Sequence, residues 1–138
     1  MSKEKEEAEL FEGIRGVQSA LYALIADAKA GDAFLFFSAD AQESNTAIQQ
    51  FYERFDAKRK EKGLKVKGLA PKTLRGLYEK RASLQMRFVD FPLPENTGLC
   101  GDKMAIITWG KKPRAILIRS KAIVEKQKRF FEQLWARA

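Results

Sequence analysis

Apolar residues recur at positions 14, 17, 21, 24, 25 and 28. That is the spacing of a helix with one buried face. Ala30-Gly31-Asp32 closes it with a glycine stop. Residues 33–37, Ala-Phe-Leu-Phe-Phe, form an unbroken apolar run too short for a helix. It predicts a strand buried on both faces. Asp40 with Glu43, or Ser44, offers a cap for a second helix whose inner face carries Ile48, Phe51, Tyr52 and Phe55 and which runs to Gly63. Leu64 to Lys67 alternates as a half-exposed strand, and Pro71 opens a short helix with Leu74, Leu77 and Tyr78. Leu84 to Val89 alternates again, and the prolines at 92 and 94 make 91–96 a loop.

The last third is the most regular. Met104 to Trp109 and Arg114 to Arg119 read as two strands around the turn Gly110-Lys111-Lys112-Pro113. Ser120 caps a final helix that packs Ile123, Val124, Phe130, Phe131, Leu134 and Trp135 inward. Strands alternating with helices predict right-handed crossovers. The expected fold is α/β: a single mixed, mainly parallel sheet with helices on both faces, a C-terminal antiparallel hairpin and a terminal helix. Residues 9–12 are a short strand or a lead-in. Residues 1–8, mostly Lys and Glu, are expected to be a disordered or linker tail, leaving 9–138 as one domain.

Composition narrows the chemistry. The chain has one cysteine, Cys100, and no histidine. Internal disulfides and a Cys-rich zinc site are therefore excluded, and without histidine the usual zinc and non-haem iron sites are not expected. Cys100 is expected to be a small buried residue. No cofactor is called for: there is neither a Gly-x-Gly-x-x-Gly nor a Walker loop. No apolar run reaches the ~20 residues that cross a bilayer, and the polar N-terminus does not read as a secretory signal, so the expected location is the cytoplasm. The net charge is +8, and residues 54–81 hold eleven Lys and Arg against three carboxylates, so this stretch accounts for the excess. A basic surface favours polyanions. Lys58, Arg59, Lys60 and Lys62 are its candidate nucleic-acid contacts, although few aromatics are interleaved to stack on bases.

Several segments together resemble a known group. These are Phe-Glu-Gly-Ile-Arg-Gly-Val (11–17) opening a helix, the buried strand at 33–38, and Gly-Asp-Lys-Met-Ala-Ile-Ile (101–107). After a turn come Ala-Ile-Leu-Ile (115–118) and a terminal Phe-Phe-x-x-Leu-Trp (130–135). The chain resembles the effector domain of archaeal TrmB-type transcriptional regulators, a domain similar to one half of the phospholipase D fold. The resemblance implies a homodimer with the old active-site cleft at its interface, and an anionic or sugar-like effector. It also implies DNA contact only through a helix-turn-helix module that this sequence does not include. Phospholipase D enzymes use a His-x-Lys-x4-Asp motif whose histidine attacks phosphorus. Here Gly101 stands at the histidine position and Thr108 at the aspartate position, and only Lys103 is kept. Without the nucleophile the covalent route is closed, so no catalysis is expected.

Ligands of open α/β sheets sit beyond the carboxyl ends of parallel strands. On that basis Arg15, Ser38, Arg87 and Lys103 are the expected polar ligand contacts. Two readings compete: a non-catalytic ligand-sensing and dimerisation domain of a TrmB-like regulator, and a stand-alone nucleic-acid-binding module using residues 54–81.

Overall fold

The computed structural model describes residues 5–40, 42 and 45–138. The elements are β1 (Glu7–Glu12), α1 (Gly13–Ile25), β2 (Ala33–Phe37), α2 (Thr46–Glu61) and β3 (Lys65–Pro71), then a 3-10 turn (Lys72–Leu74) and α3 (Arg75–Tyr78). They continue with β4 (Gln85–Val89), β5 (Asn96–Cys100), β6 (Lys103–Thr108), β7 (Arg114–Arg119) and α4 (Lys121–Arg137). The seven strands form one sheet in the order β1-β7-β6-β5-β2-β3-β4.

The sheet is mixed, but it is not mainly parallel. Only β2–β3 and β3–β4 run parallel, and the other four neighbouring pairs are antiparallel. Two strands account for the correction. β5 enters between β2 and β6, overlapping the 91–96 loop only at Asn96 and otherwise lying where no strand was expected. β1 lies antiparallel on β7 at the edge, with Glu7 opposite Arg119 and Ala8 opposite Ile118. Glu7 and Ala8, expected in a tail, are thus paired strand residues; residues 1–4 lie outside the described residues.

The periodicities explain the layers. β2 is buried on both sides: Phe34 joins the cluster under α1 and α2, while Leu35 and Phe37 join the cluster under α4. α1 contributes Val17, Leu21 and Leu24 to the first face, and α2 adds Ile48, Phe51 and Phe55. α4 covers the second face with Val124 and Phe131. Burying one such large side chain is worth about 1.5–3 kcal/mol. The α2 cap is Asn45, whose side chain accepts from the Ile48 N–H at 3.1 Å; Glu43 and Ser44, expected there, lie outside the described residues. Ser120 caps α4 as expected, accepting from the Ile123 N–H at 3.2 Å. α1 has no side-chain cap; its first residue donates from the Gly13 N–H to the Pro113 carbonyl at 2.8 Å, tying the helix to the β6–β7 turn. Trp109, beside that turn, is buried and packs edge-on to Tyr52 at 6.3 Å.

Among the described residues no group of three or more His, Cys, Asp or Glu side chains could hold a metal ion. No helix is long and apolar enough to cross a membrane.

Candidate functional site

The expected contacts do not converge. Lys103 begins β6, next to the β5–β6 turn, and Ser38 follows β2 at the opposite end of the sheet. One strand length, about 15 Å, separates these ends.

At the first end Gly101 holds the turn with φ +63°, a conformation that favours glycine. Lys103 is buried, not an exposed strand lysine. Its ammonium donates to the Ala23 carbonyl at 3.1 Å and to Asp27 Oδ2 at 2.9 Å. It therefore anchors the last turn of α1, where a cation also meets the negative end of the helix dipole. The hydrogen bond and charge of Lys103 hold the Asp27 carboxyl below its ordinary range. Beside it a groove of about 300 Å³ runs between α1 and the strands, lined by Glu7, Glu9, Lys103 and Arg119 among others.

Arg87 lies on β4, on the α4 side of the sheet. It donates to the Trp135 carbonyl at 2.6 Å and stacks on the Trp135 ring at 4.4 Å. Its partner is the end of a helix, so the anion expected there is replaced by the carbonyl end of α4. Arg15 is exposed on the first turn of α1 and joins none of the other three.

The basic stretch also divides. Lys60 is exposed, Lys58 pairs loosely with Glu61 at 3.8 Å, and Lys62 reaches the Ala26 carbonyl at 3.1 Å. Arg59 is only 3% exposed and belongs to the core, so it is no surface contact for nucleic acid. Its guanidinium lies between the Phe34 and Phe55 rings, at 4.6 and 4.5 Å, and donates to Asp56 Oδ1 at 2.5 Å.

That ion pair forms the floor of the second end. Arg81 grips the same carboxylate with two bonds, Nε to Oδ2 at 2.7 Å and Nη2 to Oδ1 at 2.8 Å. Tyr52 and Tyr78 lie against Arg81 at 5.3 and 4.8 Å. The buried Ser38 hydroxyl accepts from the Tyr78 hydroxyl at 2.6 Å. From β5, the Asn96 Oδ1 accepts from the Ala39 and Asp40 N–H groups at 2.8 and 3.1 Å, fixing the chain where it leaves β2. These groups surround a pocket of about 50 Å³ whose walls include Phe34, Phe36 and Tyr52. Burial pulls the Arg59 guanidinium below its ordinary value despite Asp56. Burial is the strongest single influence on Arg81 too and pulls it down, but the hydrogen bonds to Asp56, the Asp56 charge and the two phenols together raise it. Burial also pushes the Tyr52 phenol upward.

Of the four expected ligand contacts only Ser38 lines this pocket; Arg59, expected as a nucleic-acid contact, lines it too. Asp56, Arg81, Asn96 and the two tyrosines were not expected there. Part of the signal was present in the sequence. Positions 52, 55, 56 and 59 share one helical face, so Asp56 and Arg59 continue the apolar stripe of α2. Arg81 and Asn96 arrive from distant segments, and no local spacing marks them.

No protein-family model matches the chain, and no curated protein matches its sequence. Solved structures do match. TrmBL2, described as an archaeal chromatin protein with a novel mode of DNA binding, superposes with a TM-score of 0.61 at 18% identity over 100% of this chain and 55% of that one. Phosphatidylserine synthase of Haemophilus influenzae Rd KW20 gives 0.63 at 14% identity over 91% of this chain and 36% of that one. NucT from Helicobacter pylori gives 0.55 at 14%, covering 96% of this chain and 97% of that one. The chain thus spans about half of TrmBL2 and about a third of the synthase. At these identities the likeness concerns the fold, which is the TrmB-like, phospholipase D-like α/β sheet.

Proposed function

We propose that this chain is a non-catalytic, ligand-sensing and dimerisation domain of a TrmB-like transcriptional regulator. The carrying observation is the state of the former catalytic position. A glycine in a left-handed turn stands where a nucleophile is required, and the chain holds no histidine to replace it. The accompanying lysine is occupied in clamping α1. A scaffold in this condition can bind and transmit, but it cannot form a phosphohistidine. The fold shared with TrmBL2, described as an archaeal chromatin protein that binds DNA, supports a DNA-associated context. Leu10 and Ile116 lie opposite each other in register and are both exposed, which leaves apolar sheet surface for a second copy.

The reading is tested in two steps. Native mass spectrometry is expected to show a dimer, and an activated phosphodiester is expected to hydrolyse no faster than in buffer. Turnover that Lys103→Ala removes would reverse the conclusion, and a strict monomer would remove the dimer from it.

A second reading keeps the exposed part of the basic stretch as a direct nucleic-acid surface. Lys58, Lys60 and Lys62 remain at least partly exposed and follow one another along the end of α2. It requires affinity for DNA or RNA that falls steeply with salt.

A further inference from the structure

We infer that the pocket at the carboxyl end of β2 binds a small monoanionic carboxylate with a short apolar body. The inference rests on the sensing reading only for what binding accomplishes; the site itself follows from the donors, charges and walls of the pocket.

Two buried donors in it have no acceptor among the described residues, Asn96 Nδ2 and Arg59 Nε. Both side chains line the same cavity, and their residues are 6% and 3% exposed. The Asn96 amide cannot be turned round to remove its orphan, because Oδ1 already accepts two backbone N–H groups. Leaving buried donors unmatched is costly, and a bound acceptor relieves both. Ser38 accepts from Tyr78, so its own hydroxyl hydrogen is free to join them.

The charges specify the acceptor. Arg59 and Arg81 share the single carboxylate of Asp56, so this buried cluster carries one positive charge in excess. Asp40 is the other charged group lining the pocket. It is exposed at the rim, and its carboxylate accepts from the Gln42 N–H at 3.0 Å and from Gln42 Nε2 at 2.6 Å. One negative charge balances the cluster, while a phosphate dianion overshoots it.

The walls specify the rest. Phe34, Phe36 and Tyr52 present ring surface and few polar atoms, which suits a hydrocarbon body and not a sugar. A water needs about 10–15 Å³ on this measure, so about 50 Å³ admits a carboxylate and one further carbon before the ligand reaches the mouth. The pocket also lies at the opposite end of the sheet from Gly101 and Lys103. It owes nothing to the former phosphodiester site.

The test titrates the full chain with butyrate and benzoate, the matched amides, and inorganic phosphate, following NMR signals including the Asn96 side-chain NH2. The carboxylates are expected to saturate and to shift that NH2 signal. The amides should bind about tenfold more weakly, as befits loss of the charge. Asn96→Asp keeps the acceptor for Ala39 and Asp40 but replaces the donor with an oxygen, and should weaken carboxylate binding at least about tenfold. Should that variant not fold, the wild-type NH2 shift and the carboxylate-over-amide preference decide alone. Amides or phosphate binding as well as carboxylates, shifts confined to the Lys103 groove, or no saturation by either acid would overturn the site. Carboxylate binding with no change in dimer stability would leave the site standing and remove the sensing reading.

Discussion

Lys103 and Asp27 meet at 2.9 Å across the end of α1, although the lysine side chain is buried and the aspartate side chain is 79% exposed. The two partners therefore contribute unequally. The lysine also satisfies the Ala23 carbonyl and is itself almost wholly buried, whereas Asp27 is solvated on most sides. Lys103→Ala is expected to lower stability by about 2 kcal/mol, from a lost charged hydrogen bond and lost packing of the stem. Asp27→Asn should lower the urea midpoint at neutral pH measurably, but by much less than Lys103→Ala does. Because the folded Asp27 value is depressed, its contribution is present above the unfolded value of about 4 and is lost as pH falls through the lower folded value. Urea titrations of the wild type and Asp27→Asn should therefore converge in strong acid. Equal losses from the two substitutions would contradict this asymmetry.

Among the described residues, Asp56 is the sole carboxylate bonded to two largely buried guanidinium groups. Asp56→Ala strips both of their counter-ion and should cost about 3–5 kcal/mol, the range for breaking a buried pair from one side. Replacing Arg81 by Met leaves the Asp56–Arg59 pair intact and should cost less. Chemical denaturation of the two variants orders them, and an Asp56→Ala protein as stable as Arg81→Met would show that water enters the pocket floor freely.

How much of this was readable beforehand differs by element. The unbroken apolar run at 33–37 announced a strand covered on both faces, and the stripe from Val124 to Trp135 announced α4, because each depends on local periodicity. β5 escaped for the opposite reason. Asn-Thr-Gly-Leu-Cys has neither alternation nor a β-branched run, yet all five residues are buried, since the strand is held by β2 and β6 on either side. Missing it also inverted the balance of parallel and antiparallel pairs. The site was less legible than the fold. Arg59 looked like one of several solvated lysine-type charges, and only the partners Asp56 and Arg81, with the rings of Phe34 and Phe55, make it a core residue. Asn96 carries its meaning through Ala39 and Asp40, more than fifty positions away.

Gly68, on β3, gives a packing prediction. A Cβ built there falls onto the ring of Phe36 in the neighbouring strand. Gly68→Ala should cost about 1–3 kcal/mol through overpacking. Phe36→Leu opens that space, so the double variant should lose less than the sum of the single changes. Additive losses in thermal unfolding would mean that the strain is relieved elsewhere. Phe36 also lines the carboxylate pocket, so the same pair of variants reports whether the ring is needed as a wall.

The basic stretch needs a variant set that respects burial. Neutralising Lys58, Arg59, Lys60 and Lys62 together would remove a core guanidinium, and any loss of nucleic-acid binding would then reflect unfolding. Changing Lys58, Lys60 and Lys62 to Gln leaves Arg59 in place. Surface substitutions of this kind are worth within about 0.5 kcal/mol each, so the triple variant should unfold close to the wild type. Arg59→Ala leaves Asp56 with Arg81 alone and empties the space between Phe34 and Phe55, and should cost about 3 kcal/mol or more. Filter binding at low and moderate salt then isolates the surface. A folded triple variant that binds DNA and RNA as the wild type does would clear these lysines of any role in polyanion contact. A folded triple variant that loses a salt-sensitive affinity would assign that role to them.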